Sequence, residues 1–217
     1  MKKNVFILVL CVFFVGTSFS QVKVGITGGL NAAGFIHGGE YDDEEKIGGT
    51  LVTFQAGLVA DLKLTENISV VPELLFSQRG GYQKWEVVEN KENTIEATIT
   101  LNYVQLPVNL ALYINAGKSS KLSIFAGPYA GYLLSGKGKI DTNFDGEKES
   151  QSEKIEIGSG EDQKKALDYG INAGLGYHFG SGAFLKLQYN LGLNNLNNYT
   201  STTIKNRNIA FTVGYFF

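Results

Sequence analysis

The chain of 217 residues has one cysteine, one tryptophan, one methionine, two histidines and three prolines. Each scarcity removes a class of protein. Cys11 lies inside an N-terminal apolar run, and Leu8, Val9 and Leu10 precede it where a lipid-modified cysteine would follow small residues. With no cysteine beyond that run, disulfide staples and thiolate metal centres are excluded. Excess positive charge is also lacking. Nineteen basic residues stand against 21 acidic ones, so nothing here offers a basic patch to nucleic acid. Long hydrophobic runs are confined to Val5–Val15, too short to cross a bilayer as a helix.

That run has the grammar of an export signal. Lys2 and Lys3 precede it, and Ser18 and Ser20 follow with small-x-small spacing, which predicts cleavage after Ser20. An uncleaved anchor is the alternative. Residues 1–20 are thus expected to be a signal peptide, and residues 21–217 a single domain.

What the remaining chain has in quantity is alternation and glycine. Eight segments of about ten residues place apolar side chains at every second position, the period of a strand. The first sets Val22, Val24, Ile26 and Leu30 against Lys23, Gly25, Thr27 and Gly29. The others centre on Phe54–Leu64, Ile68–Phe76, Val104–Leu112, Leu122–Tyr132, Tyr169–Phe179, Leu185–Leu193 and Ile209–Phe217. The apolar face of each carries no charge, and the other face is small and polar. A soluble barrel would point its apolar face inward. A cylinder of eight strands has room for little beyond its own side chains, so glycine and small polar residues fit inside and the bulky set fits outside. An apolar exterior of that extent needs lipid. The expected fold is an all-β, eight-stranded antiparallel up-and-down transmembrane β-barrel in the outer membrane of a Gram-negative bacterium.

The connections alternate in length. Residues 36–49, 80–97, 134–168 and 194–206 are read as long loops, and 65–67, 114–120 and 180–182 as tight turns. Outer-membrane barrels put short turns in the periplasm, which would leave both termini there and turn the acidic loops outward from the cell. Tyr82, Tyr132 and Tyr169 at one end, and Tyr113, Tyr177, Phe179, Phe184, Tyr215 and Phe217 at the other, are expected to form interfacial belts. Pro72, Pro107 and Pro128 fall within strands, where each deletes a ladder hydrogen bond and predicts a bulge or bend.

Seven stretches, among them "PELLFSQRGG" (Pro72–Gly81), "YVQLPVNLALY" (Tyr103–Tyr113), "DYGINAGLGYHF" (Asp168–Phe179) and "IAFTVGYFF" (Ile209–Phe217), resemble the PorT-like outer-membrane β-barrel family of Bacteroidetes. The resemblance covers nearly all of residues 21–217. It implies the same barrel, recognition of the aromatic C-terminal strand by barrel-assembly machinery, and, as one alternative, an accessory part in protein secretion or envelope assembly.

Candidate sites are few. Parity sends Asp61, Lys63, Glu73 and Lys186 into the lumen, with Arg79 and Lys23 nearer the rims. Such a cluster is expected to plug the cylinder with ion pairs; a gated path for a small solute is the other reading. Asp141, Asn143, Asp145 and Glu147 follow the first half of a calcium loop, D-x-N-x-D-G. The second half departs from it, with Ser152 where a bidentate glutamate belongs, and a solvated acidic loop is the alternative. Calcium is the only cofactor these residues suggest. His178 is expected in the lumen near a tight turn, and His37 in a loop beside Glu40, Asp42 and Asp43 without a serine partner, so an enzyme is not expected. The partners foreseen are outer-membrane lipid and an unidentified envelope or extracellular partner. The role foreseen is structural or surface interaction.

Overall fold

The computed structural model describes residues 22–39, 48–87, 90–160, 163–198 and 202–217. The expected signal peptide and the acids beside His37 lie outside the described residues. Among the described residues every regular element is a strand: β1 (Val22–Gly39), β2 (Leu51–Lys63), β3 (Ile68–Val87), β4 (Asn90–Asn115), β5 (Lys121–Phe144), β6 (Glu147–Ile155), β7 (Leu167–His178), β8 (Ala183–Gly192) and β9 (Thr202–Phe216). Each pairs antiparallel with its neighbours. β1 pairs with both β2 and β9, and β4 pairs with β5, so eight strands close into a ring. The ninth, β6, stands outside the ring on the upper half of β5.

The strands extend further than their apolar stretches. About 9–11 tilted residues cross a hydrocarbon core, whereas β4 has 26 residues and β5 has 24. Residues 80–87, 90–97 and much of 134–160, expected as parts of loops, are therefore continuations of β3, β4 and β5 with β6 added. Their side chains alternate without an apolar face on lipid, which hid them from a reading based on hydropathy. The β5–β6 hairpin turns at Asp145-Gly146, both with positive φ (50° and 87°). Asp-Gly in that conformation matches the twist of two antiparallel strands. Where β5 changes partner from β7 to β6, one extra residue, Leu134, shifts its register against β4 between Asn102↔Ser135 and Tyr103↔Leu133. A bulge there bends the strand away from the ring.

The prolines behave differently from expectation. Pro72 falls where the β2–β3 ladder skips from Val59↔Glu73 to Leu62↔Val70. Pro107 falls where β3–β4 skips from Pro72↔Val108 to Leu75↔Gln105, and Pro128 where β4–β5 skips from Pro107↔Tyr129 to Leu110↔Ala126. None of the three gaps changes the register. Each missing N–H opens the ladder without inserting a residue, so these are interruptions, not bulges.

The side-chain orientation follows the sequence. Leu30, Leu58, Leu74, Leu110, Ile124, Leu175 and Phe211 face outward and exposed, while Asn31, Ser77, Gln105, Asn109, Asn172, Gln188 and Thr212 face inward and buried. Small inward residues also let strands cross closely. A Cβ at Gly57 would sit 2.0 Å from the Leu74 carbonyl oxygen, a distance that only glycine permits.

The interior is more apolar than expected. Toward the tight turns, Val59, Val71, Ala111, Tyr113, Phe125, Phe184 and Phe216 form one cluster. Toward the long hairpins, Phe35, Leu101, Tyr103, Leu133 and Leu196 form another, with Ile99, Ile155, Ile157 and Ile204 packed on it. Tyr113 and Phe184, expected in an outer belt, are inward and buried. Both lie near a strand end, where aromatic rings serve a lumen as readily as an interface.

Candidate functional site

The lumen contains the charged groups of interest, in layers set by strand position. At the tight-turn end a cavity of about 170 Å³ opens among Lys23, Asp61, Lys63, Lys121, His178 and Phe216. Tyr113 donates its hydroxyl hydrogen to Asp61 Oδ2 at 2.8 Å. Ser123 Oγ and His178 Nε2 lie 3.0 Å apart. A serine beside a histidine is the start of a nucleophilic pair, but Ser123 is buried and the Asp61 carboxylate is engaged by Tyr113. His178 itself packs as a core ring, edge-on to Tyr113 and over Phe184 and Phe216.

One layer up, Lys186 donates to Glu73 Oε1 at 2.5 Å, with both side chains buried. The ammonium also lies 5.7 Å from the rings of Phe125 and Phe184. Desolvating two ions is offset only when they pair and find further partners, as here.

Above it is the densest network. Arg79 donates to Gln105 Oε1 at 2.9 Å, to the Tyr129 hydroxyl at 3.3 Å and to Asp168 Oδ2 at 3.5 Å, while its guanidinium lies 4.9 Å from the Tyr129 ring centre. Asn206 Nδ2 donates to Asp168 Oδ2 at 2.9 Å and to the Tyr103 hydroxyl at 3.2 Å. Arg79 and Asp168 are 1% and 2% exposed. This layer ties β3, β4, β5, β7 and β9 across the lumen, and the apolar cluster of Phe35, Leu101, Leu133 and Leu196 closes over it.

Of the four residues expected to share a luminal cluster, the structure joins Glu73 with Lys186. It assigns Asp61 to Tyr113 and leaves Lys63 at the mouth. Arg79, expected near a rim, is central to its layer. Asp168 was overlooked because it was counted in a loop; its parity with Gly170 and Asn172 was the available signal. His37 lies on β1, opposite Ile204 and edge-on to Phe35.

The D-x-N-x-D-G run sits at the tip of the β5–β6 hairpin. Asp141 and Asn143 are on β5, Asp145 is in the turn and Glu147 begins the return strand. Lys139 bonds Asp141 at 2.7 Å, and the Asp145 N–H donates to Asn93 Oδ1 at 2.8 Å. Hydrogen bonds from Lys139 and Ser150 hold the Asp141 carboxyl below its usual range. Among the described residues no three His, Cys, Asp or Glu converge as a metal site.

The family described as outer membrane protein beta-barrel domain matches residues 17–198. Among solved structures, the chain is similar to Ail, the attachment invasion locus protein of Yersinia pestis (16% identity, TM-score 0.42, covering 91% of this chain and 99% of that one). It is also similar to the outer membrane protease OmpT from Escherichia coli (10% identity, TM-score 0.46, covering 92% and 98%) and to Neisserial surface protein A (10% identity, TM-score 0.42, covering 89% and 96%). No curated protein matches the sequence.

Proposed function

We propose, because this chain belongs to the outer membrane protein beta-barrel domain family, that it is a closed surface barrel that presents its long hairpins outside the cell and neither conducts nor catalyses. The observation that carries the reading is the filled lumen. Apolar, ion-pair and Arg79–Asp168 layers succeed one another from the mouth to the cap, leaving, among the described residues, a cavity of about 170 Å³ at the tight-turn mouth and one of about 20 Å³ beside the Glu73–Lys186 pair. What projects is a four-stranded ribbon of β3, β4, β5 and β6, far more than a bilayer crossing requires. Its use is contact with molecules outside the membrane. The short turns and both termini face the periplasm, as in other barrels of even strand number. An accessory role in protein secretion draws only on the PorT-like resemblance, whereas the closed barrel draws on residues.

The test is a protease site inserted at Asp145-Gly146, a turn that interrupts no ring strand. Protease added to intact cells should cut there while leaving the ring as a heat-modifiable band on gels. Protection of the site until the envelope is opened would reverse the orientation.

A further inference from the structure

We propose that the outward face of the β4–β5–β6 part of that ribbon docks the phosphate groups of the lipid leaflet around it. The proposal rests on the orientation above and adds a ligand class to it.

Alternation sorts the charge of β6. Lys148 and Lys154 fall on one side, and Glu147, Glu149 and Glu153 on the other. The register Lys137↔Lys154 and Lys139↔Ser152 gathers Lys137, Lys139, Lys148 and Lys154 on one face, beside Thr100 and Thr98 of β4, with Asp141 and Glu96 the acids of that face. That face is continuous with the lipid-facing side of the ring. Val104↔Tyr132 is the last apolar rung, Asn102↔Ser135 follows across the bulge, and Thr100↔Lys137 comes next. Two rungs are about 13 Å along a strand, less when tilted, which is headgroup depth. A lysine stem can reach back over that distance.

The arrangement is unfavourable without an anion. Lys137 and Lys154 oppose each other directly, and like charges so placed destabilise a sheet. Neither has an ion-pair partner among the described residues, whereas Lys84 has Glu96 and Lys139 has Asp141. On the far side of the ring, Arg207 and Lys205 of β9 stand above outward-facing Ile209 in the same way. A net acidic chain therefore places Lys137, Lys154, Lys205 and Arg207 just beyond its apolar belt. Phosphate on a lipid fits both the charge and the position.

The experiment uses the purified full barrel in zwitterionic detergent, titrated with bisphosphorylated lipid A, dephosphorylated lipid A and inorganic phosphate. Bisphosphorylated lipid A should bind saturably and weaken with salt. The K137Q/K154Q double variant should bind at least about tenfold more weakly, given the usual contribution of each surface lysine near anionic lipid. K118Q, at the opposite end, should bind as the parent does. Heat-modifiable migration confirms that each variant is folded. Equal affinity in the double variant, or for the dephosphorylated lipid, overturns the proposal. Displacement of the lipid by equimolar inorganic phosphate overturns it too, because the site would then be one for free phosphate. Binding to purified protein does not depend on cellular orientation. A hairpin cut on intact cells with no lipid bound therefore sinks this proposal alone, and a protected hairpin sinks the reading beneath it.

Discussion

Arg79 and Asp168 are each almost wholly buried, and each is the other's only opposite charge within ion-pair distance among the described residues. Removing one leaves the other buried without an opposite charge. R79A or D168A should each lower unfolding free energy by roughly 3–5 kcal/mol, measured by urea titration in lipid vesicles. An R79M/D168L double variant should recover much of the loss, because apolar residues of similar size leave no ion unpaired; a double variant as weak as the singles would refute this account. Gly57 makes a steric prediction. A side chain there meets the Leu74 carbonyl oxygen, so G57V should abolish the heat-modifiable folded band. Parity alone was enough to send Glu73, Lys186, Asp61 and Lys63 inward, because direction is a local property of a strand. Which inward groups meet depends on the stagger between strands far apart in sequence. Glu73 and Lys186 are 113 positions apart, and nothing in either neighbourhood encodes that pairing.

The eight ring strands were legible from alternation because lipid outside and a narrow lumen inside impose opposite demands on successive residues. Their upper ends were not. Above the bilayer both faces meet water or the cap, so Lys137, Lys139 and Asp141 alternate with Gly138 and Ile140 and read as a charged loop. The hairpin leaves a short signal in Asp145-Gly146, which a calcium loop shares because glycine serves both geometries. G146V forces a β-branched residue to φ near 87° and should loosen the β5–β6 hairpin by about 1–2 kcal/mol. Limited proteolysis should then cut near residue 146 while the ring stays intact; loss of the ring as well would show that the ribbon is needed for folding. Asp141 offers a check by pH. Its carboxyl is lowered below 3.8 by Lys139 and Ser150, so the contribution of those bonds is present above the ordinary carboxylate range and disappears as pH falls through the lowered value. An NMR titration of that carboxyl should show a midpoint below 3.8 that returns toward normal in K139Q; an unshifted midpoint in the parent would rule the pairing out in solution.

Across the whole molecule, the same cylinder that hides its polar groups from lipid also fills its lumen with its own side chains. Closure of the ring pairs the strand edges across the apolar belt, whereas β6, β3 beyond Ser77 and β1 beyond Ala33 each keep an edge with little or no strand pairing among the described residues, beyond that belt where water can pair with it. Inside, four closures act in series: the cluster around Phe184 and Phe216, the Lys186–Glu73 pair, the Arg79–Asp168 layer, and the cap of Leu101, Leu133 and Leu196. Resistances in series are dominated by whichever remains intact. An L101A/L133A/L196A variant should therefore insert in planar bilayers and conduct no more than the parent, which is expected to show no stable steps. Opening only the Arg79–Asp168 layer with R79A/D168A should likewise give none. Conductance should appear only when both sets are combined with F184A and E73A/K186A, and the summed cost in packing would make such a barrel prone to unfold. Discrete steps in the parent protein would overturn the closed-lumen reading directly. Steps from the cap variant alone would place the whole barrier at the long-hairpin end and leave the inner layers permeable.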